Sequence, residues 1–567
     1  MRKHTIRNQG VALFATLCLA TGLATALPAV ASEPAEESAG LDGPQAEAIE
    51  EALSPERLDP EDLAPEAELE AAVGPETTEE LLEIAENALA TTPEAPELGQ
   101  PLAANSPERP DLTLVLRDLA ARMDSLTPGQ KKRVNTLLAR PTKPNRSDKY
   151  LGANYAGAKS KVRCGKHACV HWATKGRHAP PAKDKNRNKV PDWVETTLKT
   201  VNQVWKAEVT KAGFRAPRKD GSSKHKGPNN KLDVYLADVG KGGFYGYCTS
   251  DDPKRGKSRT ISAYCVVDDD MAKSQFRAKP IKSLRVTVAH EFFHAVQFAY
   301  DWREDNWLLE GTATWMEEQV YDAINDNRQY IKGPGPITRP YIPMDYVNLD
   351  VSRPQYYHPT YATWTFFQYL GERLPKKKGG VPTITREIWN QAAKKGVQSR
   401  SAVSKALTAR GTSFATMFAK YSAANVVPVG KDGYSEGKHF PTAAPRVIPS
   451  QPGSCAAVPC SSSVDKFLPT EDNYYLPQLS SMSWRTQPNG QASATVTFTT
   501  NGAASALGVV TTVTAGGKVA RYPISFTGST GTSGSIPLSG VTAIYSTLAN
   551  TSLRNDGLQA TLNITAP

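Results

Sequence analysis

"VAHEFFHAVQFAYDWREDNWLLEGTATWMEE" spans Val288 to Glu318 and carries two histidines four residues apart, a glutamate directly after the first, and another acid sixteen residues after the second. On a helix, residues four apart project from one face, so His290 and His294 offer two imidazole nitrogens to a single ion. Glu291 sits one position on, beside that face, where a carboxylate reaches a water at the metal without taking a coordination position itself. Phe292, Phe293, Val296 and Phe298 fall at the spacing of a buried helical side. An ordinary core helix would use those apolar residues equally well. Only a metal accounts for two histidines and a distant acid coinciding with that framework.

A catalytic metal needs a third protein ligand and one open position. A glycine three residues and a histidine or aspartate six residues after the second histidine would supply one pattern, but Gln297 and Tyr300 occupy those places. Asp301 is one position out of register. An aspartate five residues after Gly311 would supply another pattern, and Met316 stands there. Glu310 remains, within "WLLEGTATWMEE".

These residues resemble the gluzincin zinc metallopeptidases, in particular a secreted bacterial branch in which H-E-x-x-H is followed by a helix written W-L-x-E-G-x-A-x-[WY]-x-E. Trp307, Leu308, Glu310, Gly311, Ala313, Trp315 and Glu317 match it in order. The resemblance covers about residues 143–427 and is sharpest over 286–322. It implies a zincin-like α+β catalytic domain, zinc bound by His290, His294 and Glu310, and hydrolysis of peptide bonds with Glu291 as the general base. Thermolysin-type enzymes of this group place an aspartate four residues after the ligand glutamate to orient a histidine; Thr314 stands there instead. Glu317, seven residues after Glu310 and on nearly the same face, is the expected substitute. Related enzymes also carry a tyrosine or histidine that steadies the developing oxyanion, and "YYHPTYATW" offers His358 and Tyr361, with Tyr361 preferred.

The rest of the chain frames this unit. Arg2, Lys3 and Arg7 precede an apolar run from Val11 to Leu27, and Ala29-Val30-Ala31 closes it, the pattern of a signal peptide over residues 1–31 cleaved after Ala31. This implies a secreted, extracellular product with no membrane anchor. Residues 32–110 hold 22 acidic residues against Arg57 and Arg109 and no aromatic residue, so they lack the means to build a core of their own. Together with "DLTLVLRDLAARMDSLTPGQKKRVNTLLAR" (Asp111 to Arg140), whose helical spacing is broken once by Thr-Pro-Gly, they read as an acidic pro-segment or linker ending in a helical hairpin over residues 32–142; as a pro-segment it makes the protein a zymogen. "KLDVYLADVG" and "TISAYCVVDDD" read as neighbouring strands; Ser283–Tyr300, Trp307–Tyr321 and Tyr361–Leu374 read as helices. Residues 428–567 shift to Ser, Thr, Gly and Val in short runs such as "ASATVTFTT" and "VTAIYSTLAN", the mark of a β-sandwich. Beyond the signal, Cys164, Cys169, Cys248, Cys265, Cys455 and Cys460 form three sequence-local pairs, read as disulfides because an exported chain is oxidised.

A second cation site is expected upstream. "DKNRNKVPDWVE" places Asp184, Asn186, Asn188, the Val190 carbonyl, Asp192 and Glu195 at the ligand positions of an EF-hand-like calcium loop, although Lys189 stands where that loop takes glycine. The net charge of +10 conceals the acidic segment and a strongly basic remainder. A basic body suits nucleic acid, an anionic cell-surface polymer or an acidic protein, while the peptidase resemblance implies protein or peptide substrates. Its lysines are scattered in loops without stacking aromatics, which argues against nucleic acid. The rival reading is a non-catalytic, calcium-stabilised surface-binding protein on a zincin scaffold.

Overall fold

The structure is a computed structural model that describes residues 77–90, 111–143, 152–346, 360–443, 457–463, 476–553 and 557–567, with brief interruptions at 224, 253, 255–257, 334 and 503–504. The expected signal peptide, most of the acidic segment and His358 lie outside the described residues.

Three helices lead in: α1 (Thr78–Ala88), α2 (Leu112–Ala121) and α3 (Pro128–Leu137). Thr77 and Glu80 form a reciprocal capping box on α1, and Thr127 and Gln130 form another on α3, with Pro128 opening the helix where its missing N–H costs nothing. The pair α2 and α3 is the hairpin expected from the Thr-Pro-Gly break. Helix α1 shows how the acidic segment folds without a core of its own: Leu81, Leu82 and Ala85 are fully buried against the rest of the protein.

A five-stranded sheet follows, built from β1 (Ser160–Cys164), β2 (Ala168–Ala173), β3 (Leu232–Ala237), β4 (Gly246–Thr249) and β5 (Tyr264–Asp268) in the order β1-β2-β3-β5-β4. β3 and β5 are the two strands read from their apolar runs, and they pair in parallel. β4 turns back antiparallel to β5 and forms the edge. Between β2 and β3 runs α4 (Asp192–Trp205); after β5 come α5 (Pro280–Gln297) and α6 (Asn306–Tyr321), then α7 (Trp364–Arg373), α8 (Thr383–Ala392), α9 (Ser399–Thr408) and α10 (Phe414–Val426). Helices α5 and α6 are buried nearly all round, which is why their sequences are apolar beyond a single stripe. One apolar core runs from α1 through α10.

Two disulfides are Cys164–Cys169, closing the β1–β2 hairpin, and Cys248–Cys265, bridging β4 to β5 at paired register positions. Cys460 is also disulfide-bonded, and Cys455 lies outside the described residues. No helix among the described residues is long and apolar enough to cross a membrane.

Beyond α10, after a short helical turn at Gly437–His439, the described elements are strands. One antiparallel sheet runs Val519–Ile524, Ala506–Thr514, Val541–Asn550, Ser480–Thr486; the other is centred on Ser493–Thr500 and Ala560–Thr565. Trp484, Val510 and Leu548 of the first share one core with Val496, Phe498 and Leu562 of the second. The molecule is therefore of mixed helix and sheet with several sheets.

Candidate metal centre

Helix α5 presents His290 and His294 one turn apart, with ring centroids 4.8 Å from each other. Helix α6 crosses them and contributes Glu310. Its close approach to the segment before α7 depends on Gly311, where a Cβ would collide with Thr363 Oγ1 and lie 2.8 Å from Phe367. Glu310 Oε2 is 3.0 Å from His290 Nε2, and Glu310 Oε1 is 3.2 Å from His294 Nε2. The three ligand atoms lie within 4.8 Å of one another, and all three residues are buried.

The opposite ring nitrogens fix the orientation of this set. His290 Nδ1 is 2.8 Å from Glu317 Oε1, and His294 Nδ1 is 2.8 Å from Gln297 Oε1. Gln297 spends its own amide N–H groups on the Leu309 carbonyl at 2.8 Å and on Thr312 Oγ1 at 3.0 Å, so its oxygen is left to accept. Each Nδ1 therefore donates, and each Nε2 faces Glu310, with His290 Nε2 in a 3.0 Å hydrogen bond to Glu310 Oε2; a metal would take the place of the proton on that side of the ring. A further sign of unmet valence is that His294 Nε2 and Glu310 Oε1, though close, are misaligned for a hydrogen bond and have no other partner. Buried polar atoms are seldom left so. This donor set fits a metal ion.

Electrostatics agree. Burial raises the Glu310 carboxyl, but His294 and His290 outweigh it and hold the group below the usual carboxylate range. Burial lowers His290, yet its bonds to Glu310 and Glu317 push it well above its ordinary value. A site that attracts a proton this strongly between fixed anions also attracts a cation. Glu291 is outside the triad. Burial pushes it up to about 7, against the pull of His290 and His294, and its Oε2 has no partner. It borders β4: a Cβ on Gly246 would lie 3.2 Å from Glu291 Cγ and 2.7 Å from the Val266 carbonyl, so only glycine lets this edge strand come so near.

The structure thus brings together His290, Glu291, His294, Glu310 and Glu317. Tyr361 stands beside them, its ring 5.8 Å from that of His290 and 4.9 Å from Tyr330, with its hydroxyl donating to Asp111 Oδ2 at 2.7 Å. Asp301 is turned away and pairs with Arg259. Sequence reasoning missed Gln297 and Asp111. Gln297 lies three residues after His294, a spacing that could have marked it as a neighbour on the same face; nothing local marks Asp111, which lies 250 residues from Tyr361.

The upstream loop folds around Glu195. Asn186 Nδ2 and Asn188 Nδ2 donate to its two carboxylate oxygens at 2.9 and 2.6 Å, while Asp184 accepts from the backbone of Asn188 and Lys189. Asp192 accepts from the Lys185 N–H, and the side chain of Asn188 from the Val190 N–H. Lys189 adopts φ +68°, the left-handed conformation for which an EF-hand-like loop takes glycine. No protein-family model and no curated protein matches this chain.

Proposed function

We propose that the protein is a secreted zinc metalloendopeptidase of the gluzincin type, with a zincin-like catalytic domain and a C-terminal β-sandwich, that hydrolyses protein or peptide substrates. The observation that carries this is the buried His290–His294–Glu310 set with both Nε2 atoms facing Glu310, beside an acid that is not a ligand. Two histidines and a carboxylate are a common donor set for catalytic zinc, which leaves a position open.

Zinc, when bound there, lowers the pKa of a water toward neutrality and polarises a carbonyl oxygen. Glu291 accepts the proton of the attacking water and returns it to the departing amine, its buried carboxyl standing beside the ligands with Oε2 uncommitted to any protein group. Tyr361, once its hydroxyl leaves Asp111, donates to the carbonyl oxygen as negative charge grows there. Glu317 and Gln297 hold the two imidazoles in register. The two disulfides favour an oxidising, extracellular location. The Asp184–Glu195 loop is proposed to hold a structural calcium, and the basic body an anionic surface polymer.

The test is zinc stoichiometry together with chelator-sensitive cleavage of an unstructured protein. Glu310→Ala should lose both metal and activity, because it removes one of three ligands. Glu291→Gln should keep full zinc while turnover falls by about 10² to 10⁴, the usual contribution of general-base catalysis. Full metal occupancy in Glu310→Ala, or near-normal cleavage by Glu291→Gln, overturns the reading.

A further inference from the structure

Resting on the peptidase reading, we propose that α2, with Asp111 at its head, is a built-in inhibitor that lies along the free edge of β4, in the place an extended substrate chain would take. An edge strand offers unpaired N–H and C=O groups, and an extended peptide pairs with such an edge readily. β4 is that edge, and Gly246 brings it against Glu291. One of its outward-pointing donors is already taken: the Cys248 N–H, which faces away from β5, donates to Thr113 Oγ1 at 3.1 Å. A side-chain hydroxyl on a helix thus occupies the bond that a substrate carbonyl would form.

The same helix reaches the opposite wall. One carboxylate does two things: Asp111 Oδ1 caps α2 by accepting from the Leu114 N–H at 3.0 Å, and Oδ2 accepts from Tyr361 Oη at 2.7 Å. The start of α2 is thereby fixed to the hydroxyl that the reaction needs free. Arg117 donates to the Glu304 carbonyl at 3.0 Å and contacts Asn306, at the entry to the ligand helix α6. Behind these contacts, Leu114, Val115, Leu116 and Leu119 are fully buried. At the far end of the hairpin Arg140, itself fully buried, pairs with Asp220, Asp233 and Asp251 at 3.1, 2.5 and 3.0 Å. The described contacts between segment and body are apolar packing and buried polar bonds. Salt screens such contacts far less than it screens a general attraction between an acidic segment and a basic body, so the inhibition should survive high salt.

The experiment uses the full chain carrying Glu291→Gln, which should hold a substrate without turning it over. It is compared with the same chain further changed at Asp111→Ala and Thr113→Val. Hydrogen exchange is read at Gly246–Thr249, and binding of a fluorescein-labelled, reduced and alkylated polypeptide is titrated at low and high salt. The inhibitor reading expects exchange at least tenfold faster and binding at least tenfold tighter at both salt concentrations. Equal binding, including none by either protein, overturns it, and so does unchanged exchange, which would make α2 an ordinary part of the domain. Should the double change prevent folding, Thr113→Val alone keeps nearly the same shape, and the Cys248 amide reports in its place. The peptidase reading fails separately, on whether the chain with intact Glu291 cleaves at all.

Discussion

Two regions of this molecule carry ligand-like residues at motif spacing, and they solve their local chemistry in opposite ways. Around Glu310, two buried imidazoles are held from behind by Glu317 and Gln297, and two of the atoms facing the centre, His294 Nε2 and Glu310 Oε1, are left with unmet valence. Around Glu195, the loop's side chains satisfy one another and the backbone: both asparagine amides donate inward, and Asp184 is spent on two N–H groups. The first site is organised before a cation arrives. The second must turn its amides and release hydrogen bonds to receive one, on a surface where water competes. Spacing alone does not separate a binding site from a well-satisfied turn; burial together with orphaned polar atoms does.

The strongest way to break the comparison is to remove what holds the imidazoles. Gln297→Leu takes away the acceptor for His294 Nδ1 and leaves His294 free to place its proton on Nε2, where it blocks the metal. Zinc affinity should fall by about 10- to 100-fold, the usual cost of losing such an orienting partner. Glu317→Gln should weaken binding by a similar or smaller factor, because an amide can still accept from His290 through its oxygen. Competition with a chromogenic chelator measures both, and unchanged affinity in Gln297→Leu would mean that the centre is not preset by its surroundings.

At the loop, Lys189→Gly sharpens the contrast. Lys189 sits in the left-handed region, where a side chain is disfavoured and glycine is at ease, and its charge repels a cation. If the loop takes calcium, the substitution should tighten calcium binding several-fold and raise the melting temperature by a few degrees more with calcium than with chelator. An equal rise under both conditions would show relief of backbone strain alone and leave Asp184–Glu195 as a turn.

Much of the architecture was legible because it follows from local pattern. The helices α5 and α6 follow from apolar runs with a proline at the first helical position or a strongly apolar interior, and the strand Ser493–Thr500 from alternation that its burial repeats residue by residue. Glu317 was legible from helical periodicity. What sequence could not supply were contacts set by tertiary approach. Asp111 meets Tyr361 only because α2 crosses the edge of β4, and Gln297 matters only because Leu309 and Thr312 engage its amide. Helix α1 was hidden for a related reason: its apolar residues are too few for a core of their own, and they bury against a partner that follows later in the chain.

A third acidic group tests the lesson in the other direction. Asp238, Asp268 and Asp269 are buried with carboxylate oxygens within 4.8 Å of one another, yet Asp268 accepts from the Gly240 and Met271 N–H groups at 2.6 and 2.8 Å, and Asp238 pairs with Lys241. Two backbone N–H groups serve Asp268 and the Lys241 ammonium stands 2.9 Å from Asp238 Oδ2, an oxygen that otherwise has no hydrogen bond; with a protein cation already against the group, we expect a charge burden there rather than a metal. Burial, reinforced by Asp268 and Asp238, pushes Asp269 up to about 8, and burial pushes Asp268 up to about 7, both from an ordinary 3.8. The folded protein therefore binds these protons more tightly than the unfolded chain. The stability this gives is fully present below about pH 4, declines as pH rises, and is lost once pH passes the folded values. Asp269→Asn removes the charge and keeps the shape, so its advantage over the parent should grow from about pH 4 to about pH 8 and then level off at a few degrees of melting temperature. Thermal unfolding across that range reads it directly. A gain independent of pH would point to packing rather than charge, and a loss of stability at high pH would mean that the three aspartates hold a cation after all.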